Sequence, residues 1–348
     1  MKSTQKSELT QYSALNDDIL YHLCHVTRTT NNIQGLIGLS MVDRRTRMIA
    51  TPIIFKKIRP FLFWDEAHAE VEVILKNRRI LSSVRALRLN FSDDVTPDRS
   101  IPNEFFTFLA SLPGLIEISI TSSNQITFGP RFQQLRDERF KRNLSRSLSQ
   151  PTLQSLIISS EIFLFLMESI QQLISLVIKA DQFHDVPVES YIEKLGSLHP
   201  RLEKLHLPLA RYDTKTIREI ARCLPDLRDI GFKSGAYGPR YQEGRSVLDH
   251  LASFRMLPML ESITFPDILN LGLDYDLPSF VKRVRLEIDI FGDSDLEDAI
   301  IARKEEAIGR LLEGIDKEIM TKGGPRLKII VIGDIIYEID ANRRFRRS

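Results

Sequence analysis

The sequence contains little cysteine and no long apolar segment, and each absence excludes a class of protein. Its two cysteines, Cys24 and Cys223, lie far apart, so neither a disulfide framework nor a zinc site built from cysteine pairs is predicted. The longest apolar run, Ile162 to Met167, has six residues, whereas a membrane-spanning helix needs about 20. The first residues lack the apolar centre of a signal peptide. We therefore expect a protein of the cytoplasm, the nucleus or both, with no membrane partner.

An excess of charge of either sign is also missing. The chain has 48 basic and 46 acidic residues, which leaves a formal net charge of +2. Nucleic-acid-binding domains usually concentrate basic residues on one surface, so no nucleic-acid partner is predicted. The short basic end of the chain, residues 341–348, is interpreted as a solvated tail.

Local motifs of catalysis and metal binding are absent as well. The sequence has no glycine-rich phosphate loop, no nucleophile elbow and no kinase signature. His22, Cys24 and His25 lie close together, but no second pair with ligand spacing follows them. We therefore expect no enzyme activity, no metal and no cofactor. The residues favour a protein whose function is binding.

The sequence does contain a repeated phrase, in which proline and leucine are two residues apart and two apolar residues follow at alternate positions. Its clearest copy runs from Pro200 to Leu207. Five more copies begin at Pro113, Pro151, Pro225, Pro258 and Pro325, and three copies without proline are Val84/Leu87/Leu89, Leu173/Leu176/Ile178 and Val281/Val284/Leu286. Nine copies predict a repeat protein.

The spacing and pattern of the phrase are typical of leucine-rich repeats. Copies start 20 to 46 residues apart, and leucine-rich repeats usually run about 20 to 29 residues. The last two apolar positions alternate, as in a strand with one buried face, and such strands must stack on neighbours. The proline is expected to end the preceding helix and to impose an extended start on the strand. We predict an α/β fold, an irregular leucine-rich-repeat solenoid of parallel strands alternating with helices over residues 61–340.

Helical periodicity fills the gaps between the predicted strands. The predicted helices are Trp64–Ile80, Val188–Leu198, Thr214–Cys223, Ser246–Leu257 and Asp295–Met320. The last of these explains the longest spacing in the array and is expected to brace its C-terminal end.

Three short helical patterns precede the array, over residues 14–60, and residues 1–13 are expected to be disordered. The segments L-N-D-D-I-L-Y-H-L, L-I-G-L-S-M-V-D-R-R-T-R and A-T-P-I-I-F-K-K-I resemble an F-box of the degenerate kind common in fungal proteins. Asn16 stands where that family usually has proline. The serine, valine and two arginine positions of the family pattern are occupied by Ser40, Val42, Arg44 and Arg47. Its other positions are occupied by Leu15, Ile19, Leu20, Leu23, Leu36, Leu39, Pro52 and Phe55.

The resemblance implies that these helices dock on a Skp-type adaptor and thereby join a cullin-based ubiquitin ligase. It implies that the eight apolar residues just given form the adaptor-binding surface and that the repeats hold a protein substrate. The alternative is a scaffold unrelated to ubiquitination, in which the helices cap one end of the solenoid.

The side chains between the buried strand positions should point outward on the concave face of the repeats. The candidates there for contact with an acidic or mixed protein ligand are Arg88, Lys204, His206, Arg283 and Arg285.

The glycine-rich loop at residues 233–245 is a second candidate partner site. Tyrosine and arginine are enriched among the residues that dominate binding energy at interfaces, and loops present them freely. The candidates in this loop are Tyr237, Arg240 and Tyr241.

Overall fold

The chain consists of two units in which helices alternate with mostly parallel strands, so the predicted α/β class is confirmed. Unit 1 covers residues 1–155 and unit 2 covers residues 156–348. The computed structural model describes residues 15–30, 32–59, 71–91, 103–122, 138–159, 161–179, 188–208, 214–232, 247–271, 273, 277, 280–282, 284–285, 294–321 and 323–348. The segment expected to be disordered, residues 1–13, lies outside the described residues.

Unit 1 begins with three helices and continues with strands that follow one another in chain order. Its elements are α1 (Asp17–Thr29), α2 (Ile33–Ser40), α3 (Arg44–Ile54), β1 (Lys57–Ile58), α4 (Arg78–Ser83), β2 (Ala86–Phe91), α5 (Asn103–Ala110), β3 (Glu117–Ser122) and α6 (Glu138–Leu148). Strand β2 pairs in parallel with both β1 and β3. Residues 71–75 are helical too, but Asn77 separates them from α4. The Asn77 side chain accepts the N–H groups of Arg79 and Ile80 and so caps the start of α4.

Unit 2 continues the alternation and ends in antiparallel strands. Strand β4 (Ser155–Ile158) starts at the boundary, and the remaining elements are β5 (Ser175–Ile178), α7 (Val188–Leu198), β6 (Lys204–Leu207), α8 (Thr214–Cys223), β7 (Asp229–Phe232), β8 (Ser262–Phe265), α9 (Ser294–Ile315), β9 (Ile329–Ile332), β10 (Ile335–Ile339) and β11 (Phe345–Arg347). Strands β5 to β9 are parallel neighbours. The described residues of unit 2 also include 3-10 helices at Glu161–Glu168, Val247–Met256 and Ile268–Asn270 and a π-helical turn at Asp316–Met320.

The repeated phrase forms a tight turn followed by a strand. In five copies the N–H of the first leucine donates to the carbonyl three residues earlier, as from Leu202 to His199 at 3.1 Å. The proline occupies the second position of this turn, which suits its fixed φ. The expectation of an extended start at the proline is therefore wrong. The first leucines of these five copies are fully buried: Leu115, Leu153, Leu202, Leu227 and Leu260.

A shared carbonyl joins the start of one strand to the start of the next at seven places in the described residues. The carbonyl of Glu203 accepts the N–H groups of both Arg228 (2.8 Å) and Asp229 (2.9 Å). The same double acceptance recurs in unit 1 at Lys56, Arg85 and Ile116 and in unit 2 at Ile174, Arg228 and Glu261. Each of these strands is therefore aligned with its neighbour before its own ladder begins.

The helical side of unit 2 supplies the rest of its core. Phe254 packs edge-on between Phe232 and Phe265, with ring centroids 6.0 and 6.3 Å away. It lies on the 3-10 helix Val247–Met256, which falls within the helix predicted at Ser246–Leu257. The predicted long helix is confirmed as α9 with its π-helical turn, and both pack on that 3-10 helix.

One predicted strand is a helix. Residues 280–282 and 284–285 are helical, and Val281 and Val284 are buried. Two apolar residues three apart fit one side of a helix as well as the first positions of the phrase, so the pattern alone could not separate the two. Leu286 lies outside the described residues.

The basic end of the chain is exposed at all but one of residues 341–348, but it is not a free tail, because Phe345–Arg347 form a strand. Strand β11 pairs antiparallel with β10, which pairs antiparallel with β9. Arg343 has a left-handed φ of 61°, and its guanidinium donates to the Met320 carbonyl at the end of the π-helical turn. The long helix is thereby tied to the last two strands.

Replacing the two signature residues of one repeat should have unequal effects. Leu202→Ala should lower the free energy of unfolding by about 2–5 kcal/mol, because it leaves a cavity in the core of unit 2. Pro200→Ala should lower it by only about 0.4–1 kcal/mol, because the turn stays possible and the unfolded chain gains freedom. Urea unfolding followed by circular dichroism measures both. Equal losses would show that the proline does more than favour the turn.

Candidate functional site

The first candidate surface is carried by α1, α2 and α3, which pack on one another. Each helix starts at a side-chain cap: Asn16 accepts from the N–H of Asp18, Asn32 from Gly35 and Asp43 from Thr46. The bond from Thr46 lowers the pKa of Asp43. Asn16 thus performs the usual task of an N-cap at the position where the F-box pattern has proline.

An arginine fixes the start of α1 on α3. The Arg45 guanidinium donates to Asp17 Oδ1 at 2.5 Å and to the Leu15 carbonyl at 2.7 Å. The three helices also share a core that contains Cys24, Leu36, Ala50 and Ile53. The direction in which α1 presents its other side chains is therefore determined.

Helix α1 also has a row of apolar residues beside its core-facing side, about 100° around the helix from the buried Leu20. Ile19, Leu23 and Val26 recur at spacings of four and three along the helix, and Leu15 lies just before the N-cap Asn16 at the start of this row. Ile19 is 54% exposed and Val26 45% exposed. We call these four residues the α1 stripe.

The eight residues predicted to bind an adaptor divide by burial. Leu20 (1% exposed) and Leu36 are buried in the helical core, so the expectation that they touch a partner is wrong for these two side chains. Ile19 and Pro52 are exposed, and the half-buried members are Leu15, Leu23, Leu39 and Phe55. Adaptor contact by these six stays a prediction. Exposed apolar residues that the sequence reasoning did not single out are Val26, Ile37, Met41 and Met48.

The second candidate surface is the side of the unit 2 strands whose residues alternate with the buried ones; we call it the outer face. Lys204 and His206 of β6 lie opposite Asp229 and Gly231 of β7. Lys204 Nζ donates to Asp229 Oδ2 at 2.5 Å, and His206 Nε2 lies 2.9 Å from Asp229 Oδ1. One carboxylate thus holds two basic side chains in place.

The surroundings of Asp229 favour its ionised form. Burial alone would raise the pKa of Asp229, but the hydrogen bonds and charges of His206 and Lys204 together lower it below its usual value. Gly231 is required for the arrangement, because a Cβ there would lie 2.5 Å from the His206 ring. The His206 ring therefore occupies the space that the missing side chain leaves.

The predicted partner-binding residues do not share one environment. Arg88 is exposed on β2 of unit 1 and Lys204 is half-buried on β6. His206 is only 8% exposed, so the expectation that it is open to a partner is wrong. Arg285 lies on a helix rather than on a strand face. The others, Arg283, Tyr237, Arg240 and Tyr241, lie outside the described residues.

The outer face also contains residues that the sequence reasoning missed. Ile329 and Val331 of β9 and Ile336 of β10 point to this side, and Ile329 and Ile336 are 39% and 42% exposed. The alternation within the last copy of the phrase could have identified the first two. Nothing in the phrase predicts Ile336, because β10 follows the array and runs in the opposite direction.

Two classes of site are not found in the part of the chain that the structure describes. Those residues contain no group of three or more histidine, cysteine, aspartate or glutamate side chains that could hold a metal ion. None of the described helices is both long and apolar enough to cross a membrane.

Asp229→Asn should weaken unit 2 by about 1–2 kcal/mol at pH 7, because two charge-assisted hydrogen bonds lose their ionised acceptor. The folded state lowers the pKa of Asp229, so its stabilising contribution exists above about pH 4 and disappears as the pH falls through the lowered value. Urea unfolding from pH 7 to about pH 2.5 should show the gap between wild type and variant closing. Asp226→Asn, in the exposed turn before the same strand, is the control. A gap that stays constant would contradict the assignment.

Comparison with known proteins gives no relative from which a function could be inferred. No protein-family model matches the chain, and no curated protein matches its sequence.

Proposed function

We propose that this chain is the substrate-recognition subunit of a ubiquitin ligase of the Skp adaptor–cullin–F-box type. The helices of unit 1 act as an F-box-like domain that docks on the Skp-type adaptor. The strands and helices that follow act as leucine-rich repeats that hold a protein substrate. The chain performs no chemistry itself.

The observation that carries the proposal is the α1 stripe. None of the four residues of this row belongs to the core cluster of the three helices, and contiguous exposed apolar residues mark interaction sites. Ile19 and Val26 are the most exposed members of the row. The Arg45 contacts to Asp17 and Leu15 hold the row in one orientation, which reduces the entropy lost on binding.

A second candidate is a protein-binding scaffold outside ubiquitination, with the three helices as a cap. It is favoured by β1, which follows α3 after two residues and pairs with β2. The carbonyl of Lys56 also accepts the N–H groups of Arg85 and Ala86. The helices are therefore joined to the first strands of unit 1, as a cap would be. An adaptor-binding domain and a cap can share this attachment, so it does not separate the two functions, and the exposed residues of the α1 stripe support the first.

Ile19→Arg should abolish capture of this chain by the Skp-type adaptor. A charge placed in an apolar interface costs several kcal/mol, roughly, which lowers affinity by about a hundredfold or more. Affinity capture after co-expression of the two proteins, followed by titration of the purified pair, measures this. Tyr21→Arg is the matched control, because Tyr21 is 53% exposed on the same helix and points about 200° away from Ile19.

Each failure has a distinct meaning. If the wild-type chain forms no complex at micromolar concentrations, the ubiquitin-ligase role is wrong and the scaffold is left. If Ile19→Arg and Tyr21→Arg both bind like wild type, the adaptor uses another surface. Leu20→Arg does not test the contact, because Leu20 is in the core and its replacement would unfold the helices.

A further inference from the structure

The C-terminal end of the outer face of unit 2 contains a continuous apolar patch. Val331 and Ile336 are direct partners across β9 and β10, and Ile329 is two residues from Val331 on the same side. We call these three residues the isoleucine patch. Ile329 and Ile336 are well exposed and Val331 is half-buried. Single exposed apolar side chains are common, but two exposed ones joined by a half-buried third on one strand surface are a candidate contact site.

An exposed carboxylate borders the isoleucine patch. Glu338 lies directly opposite Ile329 across β10 and β9 and is exposed. Its neighbour on β11 is Arg346, whose guanidinium forms an ion pair with Asp340 at 3.0 Å. The Glu338 carboxylate is therefore positioned to pair with a cationic group of a bound molecule.

The other border of the patch is polar. Ser262 and Thr264 of β8 lie opposite Ile329 and Val331, and Asp229 of β7 lies opposite Ser262. Neighbouring strands are about 4.8 Å apart, so β7 and β10 are about 14 Å apart. Four or five extended residues span that distance at about 3.3 Å each. Across this width the outer-face side chains change from the charged Asp229 on β7 to hydroxyl groups on β8 and then to apolar side chains on β9 and β10.

We propose that this surface binds a short segment of a protein partner in which two apolar residues are followed by a lysine or arginine. The apolar side chains contact the isoleucine patch, the cationic residue pairs with Glu338, and the remainder crosses Ser262 and Thr264. This inference rests on one part of the proposed function, the holding of a protein by the repeats, and it names the class of substrate segment.

The test uses a phage-displayed library of random twelve-residue peptides, selected on the intact immobilised protein. The selected peptides should be enriched in an apolar pair with lysine or arginine within two residues. Fluorescence polarisation of synthetic copies should show binding at least tenfold weaker to Ile336→Lys than to wild type. Glu338→Lys should weaken these peptides and should favour copies in which the basic residue is replaced by glutamate.

The control is Ile301→Lys on α9, since Ile301 is 52% exposed and lies on a helix; it should bind like wild type. Peptides that bind wild type and Ile336→Lys equally, or a selection that yields no binding peptide, would overturn the proposal. A dimer of the wild-type chain that Ile336→Lys converts to a monomer would also overturn it, because a second copy would then be the occupant. Adaptor capture should be unaffected by Ile336→Lys. If the adaptor does not capture the wild-type chain but the peptides still bind it, the ligase role is wrong and the peptide-binding proposal stands.

Discussion

The structure depends on a backbone carbonyl that recurs where seven of the described strands begin. Because one oxygen accepts two successive N–H groups, the first residue of the following strand is aligned with its neighbour. Side chains in a strand alternate with period two, so a slip of one residue would exchange the buried leucines with the outer-face residues. In unit 2 the residues that donate the first of the two N–H groups include Arg228, Glu261 and Lys328. The Glu261 side chain forms ion pairs with Arg228 at 2.9 Å and with Lys328 at 2.8 Å, and these pairs favour the same alignment. Register, core and outer face are therefore set by one recurring contact.

The repeated phrase predicted most strands because its requirements are local. Leucine after the turn must be buried, and proline suits the second position of that turn, so the residues alone indicate both. The copy at Val281 and Val284 fails because two apolar residues three apart satisfy a helix equally. Strands β10 and β11 were not predicted because the repeated phrase indicates parallel strands, and these two strands are antiparallel.

The candidate surfaces were harder to predict, for a different reason. Helix α1 has two neighbouring rows of apolar residues, and only packing against α2 and α3 decides that Leu20 is inside while Ile19 is outside. His206 occupies an outward position of its strand, yet its ring is buried because it contacts Asp229 and fills the space beside Gly231. Both outcomes depend on residues distant in sequence, which a local pattern cannot record.

Strand β11 has a consequence for self-association. It is the last strand in the sheet order, and an edge strand presents backbone groups on which another chain can template a cross-β stack. Three residues offer a short template, and the exposed Arg346 and Arg347 place like-charged side chains on two such edges, although Asp340 and Glu305 lie 3.0 and 3.9 Å from them. Without β11 the edge would pass to β10, whose sequence I-I-Y-E-I has high strand propensity and one charge. Short length and basic side chains at this edge both disfavour pairing with a second edge of the same kind.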